Sequence, residues 1–426
     1  MSKKAFEGLR VADFSWVGVG PTVAKYLADH GAEVIRIESA TYPEALRRAG
    51  PFVDDEPGLD RSGYYANFNS SKHGVTINLK HPEGTELARR LVAQCDVVTE
   101  SYTPGTMARF GLSYEELTEN RDDLVMISMP LYGQTGPWAD YAGFGHTLQA
   151  SSGYNHLTGW PDGPPIGTGI AYTDFQVPHI GAFALVAALD YRRRTGKGQY
   201  IDFSQFEAAI HGLGTAVLEW TANGREMMRM GNRDPEAAPH GRHQARDGKW
   251  IVLACFTEDD WIKLKAALGR PDWCDLERMR RKWQRLENQK EIDRHLGHWV
   301  DGITRKPAEE AEQEVEGQEG IRIRKYTSRE LLDYLQSFGV PAGIVQSPED
   351  MHADPQMAHR HHYWSLEHPE MGLRTYDGPA FRLSETPAEL TKAAPLLGED
   401  NERVFKQIVG MSEEEYDRLL VDGAFE

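Results

Sequence analysis

Three groups of residues in this chain have types and spacings that can support chemistry. The first is a glycine turn, Gly18-Val19-Gly20, between an apolar strand-like run (Leu9–Phe14) and a helix-like run (Thr22–His30). Backbone N–H groups at such a turn, with a helix N-terminus behind them, suit a phosphate or another electron-rich oxygen. Glu38 ends the next strand-like run, where a dinucleotide fold keeps an acid for the ribose, so a nicotinamide-dependent dehydrogenase is one reading. Pro21 and Val23 break the full glycine fingerprint, and a plain tight turn accounts for the same residues. The second group centres on Asp174, at the end of Gly167-Thr-Gly-Ile-Ala-Tyr-Thr-Asp174 and just before a helical run. A carboxylate there can attack an activated acyl group. Capping the helix near Pro178 is the commoner use of such an Asp. The third group is His359, His361 and His362, whose imidazoles suggest a metal. No acids share a face with them and bulky aromatics adjoin them, so a surface cluster is the better reading.

Other chemistry is excluded. The three cysteines, Cys95, Cys255 and Cys274, have no C-x-x-C spacing, so neither a disulfide framework nor a zinc site is legible. Cys95 and Cys255 end a helix and a strand and read as small buried hydrophobes. No Gly-x-Ser-x-Gly elbow supports a serine hydrolase.

The elements that must position these groups alternate strand and helix. Strands are expected at Leu9–Phe14, Glu33–Glu38, Val75–Leu79, Asp96–Thr99 and Leu124–Met129, with helices at Thr22–His30 and Glu83–Gln94 between them. Such alternation implies parallel pairing in a doubly wound α/β core. Tyr132–Gly169 is irregular and rich in Gly, Pro, Trp and Tyr, a texture that marks functional segments. Helix Pro178–Arg194, strand Gln199–Phe203 and a helix to Asn223 follow. Residues 224–240 read as a linker. Asp247-Gly248 sits between the strands of a hairpin, and Thr257–Leu268 is a helix with a capping-box start. Surface helices of a smaller α+β domain are expected over 271–320. Helix Ser328–Phe338 leads into a buried strand, Gly339–Val345, and residues 402–420 read as a solvated helix. The expected division is a large domain from 1–224 and 331–426, with a small domain over 225–330.

The chain has 426 residues, 40% apolar and 26% charged, which rules out a disordered or fibrous protein. Its formal net charge of −18 argues against nucleic-acid or anionic-membrane partners. The opening Met1–Trp16 has no apolar signal core, and no apolar run is long enough for a bilayer, so a cytoplasmic enzyme is expected.

An ordered series of segments resembles the class III CoA-transferases, the formyl-CoA transferase and carnitine CoA-transferase group. It begins with Leu9-Arg-Val-Ala-Asp-Phe, Gly20-Pro21 and Leu27-Ala-Asp-His-Gly-Ala-Glu-Val-Ile-Arg-Ile-Glu38. It continues through Asn69-Ser-Ser-Lys72, Thr76-Ile-Asn-Leu-Lys80, Glu100-Ser-Tyr-Thr-Pro-Gly105, Arg109-Phe-Gly-Leu112 and Tyr132-Gly-Gln-Thr-Gly-Pro137. Asp174, Thr195-Gly-Lys-Gly-Gln199, Gly339-Val-Pro-Ala-Gly343 and Ala394-Pro-Leu-Leu-Gly398 complete it. The pieces span nearly the whole chain.

The resemblance implies a nucleotide-type α/β domain built from both chain ends, a small inserted domain, and ring-like subunits interlocked in a dimer. By position Asp174 matches the family's catalytic aspartate, and Gly18 and Val19 match the backbone over the thioester. Lys72, Ser101, Tyr102, Arg109 and Phe110 match segments that hold the CoA nucleotide, with Arg36 as a further basic candidate. A CoA thioester is then the substrate and no cofactor is bound permanently. The implied reaction moves CoA from a donor such as succinyl-CoA to an organic acid, aromatic or dicarboxylic, benzylsuccinate being one named possibility. The glycine-rich lid of formyl-CoA transferase has no counterpart before Asp247-Gly248, which argues against formyl or oxalate chemistry. Phe144 stands where the racemase branch keeps a histidine, with His146 two residues on, so an acyl-CoA racemase is the alternative on this fold. The partner is a second copy or a related subunit; that this chain is itself a non-catalytic subunit of a heteromeric transferase is a further reading, against which the intact Asp174 argues.

Overall fold

The computed structural model describes residues 4–300 and 326–426. In the first of its two units, β1 (Arg10–Asp13), β2 (Glu33–Glu38), β3 (His73–Thr76), β4 (Val97–Glu100), β5 (Val125–Ser128) and β6 (Gln199–Asp202) form one parallel sheet. Its order is β3-β2-β1-β4-β5-β6. Every residue of β4 and β5 is buried, because helices cover both faces of a parallel sheet. One face packs α1 (Val19–Asp29) through Val23 and Leu27 against Val34, Val125 and Ile127. The other packs α2 (Gly84–Val92) through Leu87 and Leu91 against Ile35 and Val98. The chain runs outward from β1 in both directions, so the crevice beyond the carboxyl ends of β1 and β4 is a topological switch point.

Two helices differ from expectation. The helix after the irregular segment, Tyr172–Thr195, begins six residues before Pro178, which therefore lies inside it. Proline has no N–H to donate to the carbonyl of Asp174, so the first turn is joined more loosely to the rest. The C-terminal end is not a solvated face. Val404, Phe405, Tyr416, Leu419 and Phe425 are buried with Ile35, Leu87 and Val98, and cover the α2 side of the sheet.

The second unit comprises residues 157–165 and 228–354. An antiparallel sheet of β7 (His240–Gln244), β8 (Trp250–Ala254) and β9 (Ala342–Ile344) packs on Trp261, Leu264, Leu296, Leu331 and Leu335. This moves the boundary expected at 330. The apolar run 339–345 marks a strand but not which sheet it joins: Ile344 pairs with Ile251 of β8, and the strand, expected to be buried, is only half-buried at the end of its sheet, with Val345 52% exposed. Part of the expected surface-helix region, residues 301–320, lies outside the described residues. No helix among the described residues is long and apolar enough to cross a membrane.

Candidate active site

The turn after β1 is held residue by residue. The backbone N–H of Ser15 donates to Asp13 Oδ1 (3.1 Å), that of Trp16 to Ser101 Oγ (2.8 Å), and that of Val17 to Glu44 Oε1 (2.9 Å). Val17 has a φ of 64°, a left-handed conformation that a β-branched residue rarely adopts. Helix α1 starts two residues later without a side-chain cap. Among the described residues, no hydrogen bond uses the N–H groups of Gly18, Val19 or Gly20. They form a cluster of donors at the positive end of the helix.

Asp174 is the third residue of its helix, now α4 (Tyr172–Thr195), after α3 (Gly145–Ser151). Its own N–H bonds to the Ala171 carbonyl, and Thr173 Oγ1 ties the helix start to the Gly145 carbonyl at 3.2 Å. The capping alternative fails, because the carboxylate of Asp174 accepts no hydrogen bond among the described residues. Two glycines wall it in. A Cβ on Gly145 would stand 2.3 Å from Asp174 Oδ1, and one on Gly18 would stand 3.0 Å from its Cβ. Burial pushes the carboxyl up to about 6, and the nearby His146 offsets part of that rise. Asp174 shares a cavity of about 310 Å³ with Gly18, Val19, Ser101, Tyr141, Phe144 and Gln205.

A second cavity of about 520 Å³ adjoins it through Trp16, Tyr102 and Thr103, which line both. Trp16 stacks on Tyr42 and meets Tyr102 edge-on, and Ile77, Lys80 and Phe110 complete the walls. Arg109 is exposed beside it and donates to Thr106 Oγ1, a lining residue, at 2.6 Å. The two cavities offer a flat apolar slot with cations at its edge, leading to a buried carboxylate and free backbone donors.

Of the expected site residues, Gly18, Val19, Ser101, Tyr102, Phe110 and Asp174 line this pair of cavities, and Arg109 borders it. Lys72 and Arg36 do not. Both are wholly buried beneath the turn. Lys72 Nζ bonds Asp13 Oδ2, the Pro21 carbonyl and Asn69 Oδ1 at 2.8–2.9 Å, which uses all three ammonium hydrogens. Burial lowers it to about 8 against the opposing charge of Asp13. Arg36 lies on a central strand, 3.7 Å from Asp13 and 3.6 Å from Glu44. Neither cation can reach a phosphate; they are counter-charges for the carboxylates that pin the turn. Glu38 is equally engaged, by Arg47 on both oxygens and by Tyr65, so the dehydrogenase reading loses its ribose acid. His359 and His361 are exposed and His362 faces Asp377 at 4.0 Å; no group among the described residues could hold a metal. Glu44, Lys80, Tyr141, Gly145 and Gln205 were not singled out from sequence. The unusual texture of Tyr132–Gly169 marks the right segment for two of them, but nothing local separates them from their neighbours.

Residues 6–401 match the profile of CoA-transferase family III. The succinyl-CoA–D-citramalate CoA-transferase of Chloroflexus aurantiacus is 29% identical over 412 residues, covering 97% of this chain and 96% of its own. The succinate–glutarate CoA-transferase of Agrobacterium fabrum is 31% identical over 412 residues, covering 95% and 96%. A crystal structure of a CAIB/BAIF family protein from Brucella suis superposes with a TM-score of 0.81 at 29% identity, covering 95% of this chain and all of that one. Family profile, relatives and fold therefore agree that this chain belongs to CoA-transferase family III and is an enzyme of that class.

Proposed function

We propose that the protein transfers CoA from a donor such as succinyl-CoA to a carboxylic acid, with Asp174 as the nucleophile. The observation that carries this reading is the unbonded Asp174 carboxylate, walled by Gly18 and Gly145 in one cavity with the free N–H groups of Gly18 and Val19. Asp174 attacks the thioester carbonyl; the C–S bond breaks, leaving an aspartyl–acyl anhydride and CoA thiolate. The thiolate attacks the aspartyl carbonyl, which releases the donor acid and forms an enzyme thioester. The acceptor carboxylate attacks that thioester, and the thiolate then takes the acceptor acyl group, regenerating Asp174. One thioester is broken and one is made over the cycle, so the exchange is nearly balanced in energy and no ATP is consumed. Burial favours the first step, since a poorly solvated carboxylate is the better nucleophile, and the backbone donors offset charge on the carbonyl oxygen.

The larger cavity suits the CoA nucleotide, with Trp16, Tyr42 and Phe110 for the base and Lys80 and Arg109 for phosphates. Succinyl-CoA and dicarboxylic acids are favoured because the named relatives use them. The subunit pairs with a second copy or with a related chain, as the alpha and beta subunits named for the L-malate enzyme of C. aurantiacus illustrate. Incubation with donor acyl-CoA alone, followed by hydroxylamine, is expected to leave a hydroxamate at Asp174 detectable by peptide mass. A racemase would exchange its α-proton without that adduct, and trapping at another carboxylate would overturn the assignment.

A further inference from the structure

We propose that Glu44 is a positioning residue for acyl transfer: its carboxylate holds Val17 in the left-handed conformation that leaves the Gly18 and Val19 N–H groups unpaired in the cavity. The proposal rests on the reading that those donors face the thioester carbonyl. Glu44 is wholly buried, far from Val17 in sequence, and precedes a short helical turn, Ala45–Arg48. One oxygen, Oε1, accepts from both Val17 N (2.9 Å) and Leu46 N (3.2 Å). The other, Oε2, has no hydrogen-bond partner and lies 3.6 Å from Arg36. A valine does not hold a positive φ unaided, because its branched Cβ crowds the backbone there.

The neighbouring N–H groups are also taken. Asp13 holds Ser15, and Ser101 holds Trp16, so the chain reaches Val17 with little freedom. If Val17 relaxed to an extended conformation, the direction of the next two N–H groups would change, while Asp174, on another helix, would stay in place. Glu44 thus controls the donors and not the nucleophile. Its alternative use is simply to balance the buried Arg36. These roles separate, because one depends on reach and the other on charge.

Glu44→Asp keeps the charge beside Arg36 but is one methylene too short for Val17. Glu44→Gln keeps an acceptor oxygen at full length but loses the charge. The expected result is a kcat about tenfold or more lower in the Asp variant, with donor KM unchanged. The Gln variant is expected to stay within about threefold of the parent kcat even where its Tm falls. Adding Val17→Gly to the Asp variant is expected to recover most of the lost kcat, since glycine takes a positive φ unaided. Parent-like kcat in the Asp variant, a loss that Val17→Gly does not relieve, or a Gln variant as slow as the Asp variant overturns the proposal. Hydroxamate trapping at Asp174 in the parent enzyme separates the two failures. With trapping intact, a negative result removes only the role of Glu44; without trapping, the acyl-transfer reading itself falls.

Discussion

At Asp174, reactivity and instability have the same origin. The carboxylate is buried without a hydrogen bond, so ionising it is unfavourable and its pKa rises from an ordinary 3.8 to about 6. In the folded protein the proton is therefore held between pH 4 and 6, where the unfolded chain has released it. Above pH 6 the folded state carries the full penalty of the charge, and below pH 4 it carries none. Asp174→Asn is expected to raise stability by up to about 3 kcal/mol at pH 7–8, with the gain vanishing near pH 4, measured by denaturant unfolding across pH. The same variant should bind CoA yet turn over at the detection limit, because an amide oxygen is a poor nucleophile. In the parent enzyme, kcat/KM is expected to fall about tenfold per pH unit below pH 6, in a stopped assay of new thioester. Gly145→Ala tests the wall beside the carboxylate. Its methyl group would stand 2.3 Å from Asp174 Oδ1 and must displace it, so kcat should drop more than about tenfold while far-UV dichroism is unchanged.

At the scale of elements, cations beneath the β1 turn and cations at the cavity edge look alike in sequence and act differently. Burial alone would raise the Asp13 carboxyl, but Lys72 and Arg36 outweigh it and hold it ionised below its ordinary value. Lys72→Ala leaves that buried carboxylate its hydrogen bonds from Ser15 and Thr99 but only the more distant cation, Arg36 at 3.7 Å, and should destabilise the fold by about 3–5 kcal/mol in urea unfolding. A raised donor KM without loss of stability in this variant would contradict its placement. Lys80→Ala and Arg109→Ala remove exposed charges and should leave Tm within about a degree. Each is expected to raise donor KM roughly tenfold, since a charge-assisted phosphate contact contributes about 1.5 kcal/mol.

At the scale of the whole molecule, the first unit leaves large apolar side chains in water. Phe183 on α4 is 75% exposed, and Leu218 and Trp220 on the later helix Gly214–Asn223 are 66% and 62% exposed. Apolar side chains of this size left in water suit a covering partner. Light scattering at micromolar concentration is expected to give at least the mass of a dimer, and a monomeric mass would contradict the proposed pairing. Leu218→Glu together with Trp220→Glu should shift the mass toward the 48.0 kDa chain if this helix is in the contact.

The sequence alone determined the elements whose signals are local. Strands β2, β4 and β5 are legible because a parallel strand buried on both faces must be a short apolar run, and β2 spans Glu33–Glu38 as expected. The glycine turn after β1 is legible for the same reason, since residue type and spacing along the chain carry the signal; Asp174, which lies in the first turn of its helix, stands out only through the family resemblance, because its own neighbourhood reads as a cap. Whatever depends on which distant residues meet came only with the tertiary structure. Arg36 and Lys72 read as phosphate ligands until the packing of β2 and β3 places them under the turn against Asp13. The strand at 342–344 is evident from its apolar run, but its sheet is decided by hydrogen bonds to β8. Gly145 is an ordinary glycine in sequence and becomes necessary only because the Asp174 carboxylate lies against it. Periodicity records how a segment is buried, whereas a site needs to know against what, and that is a property of three-dimensional packing.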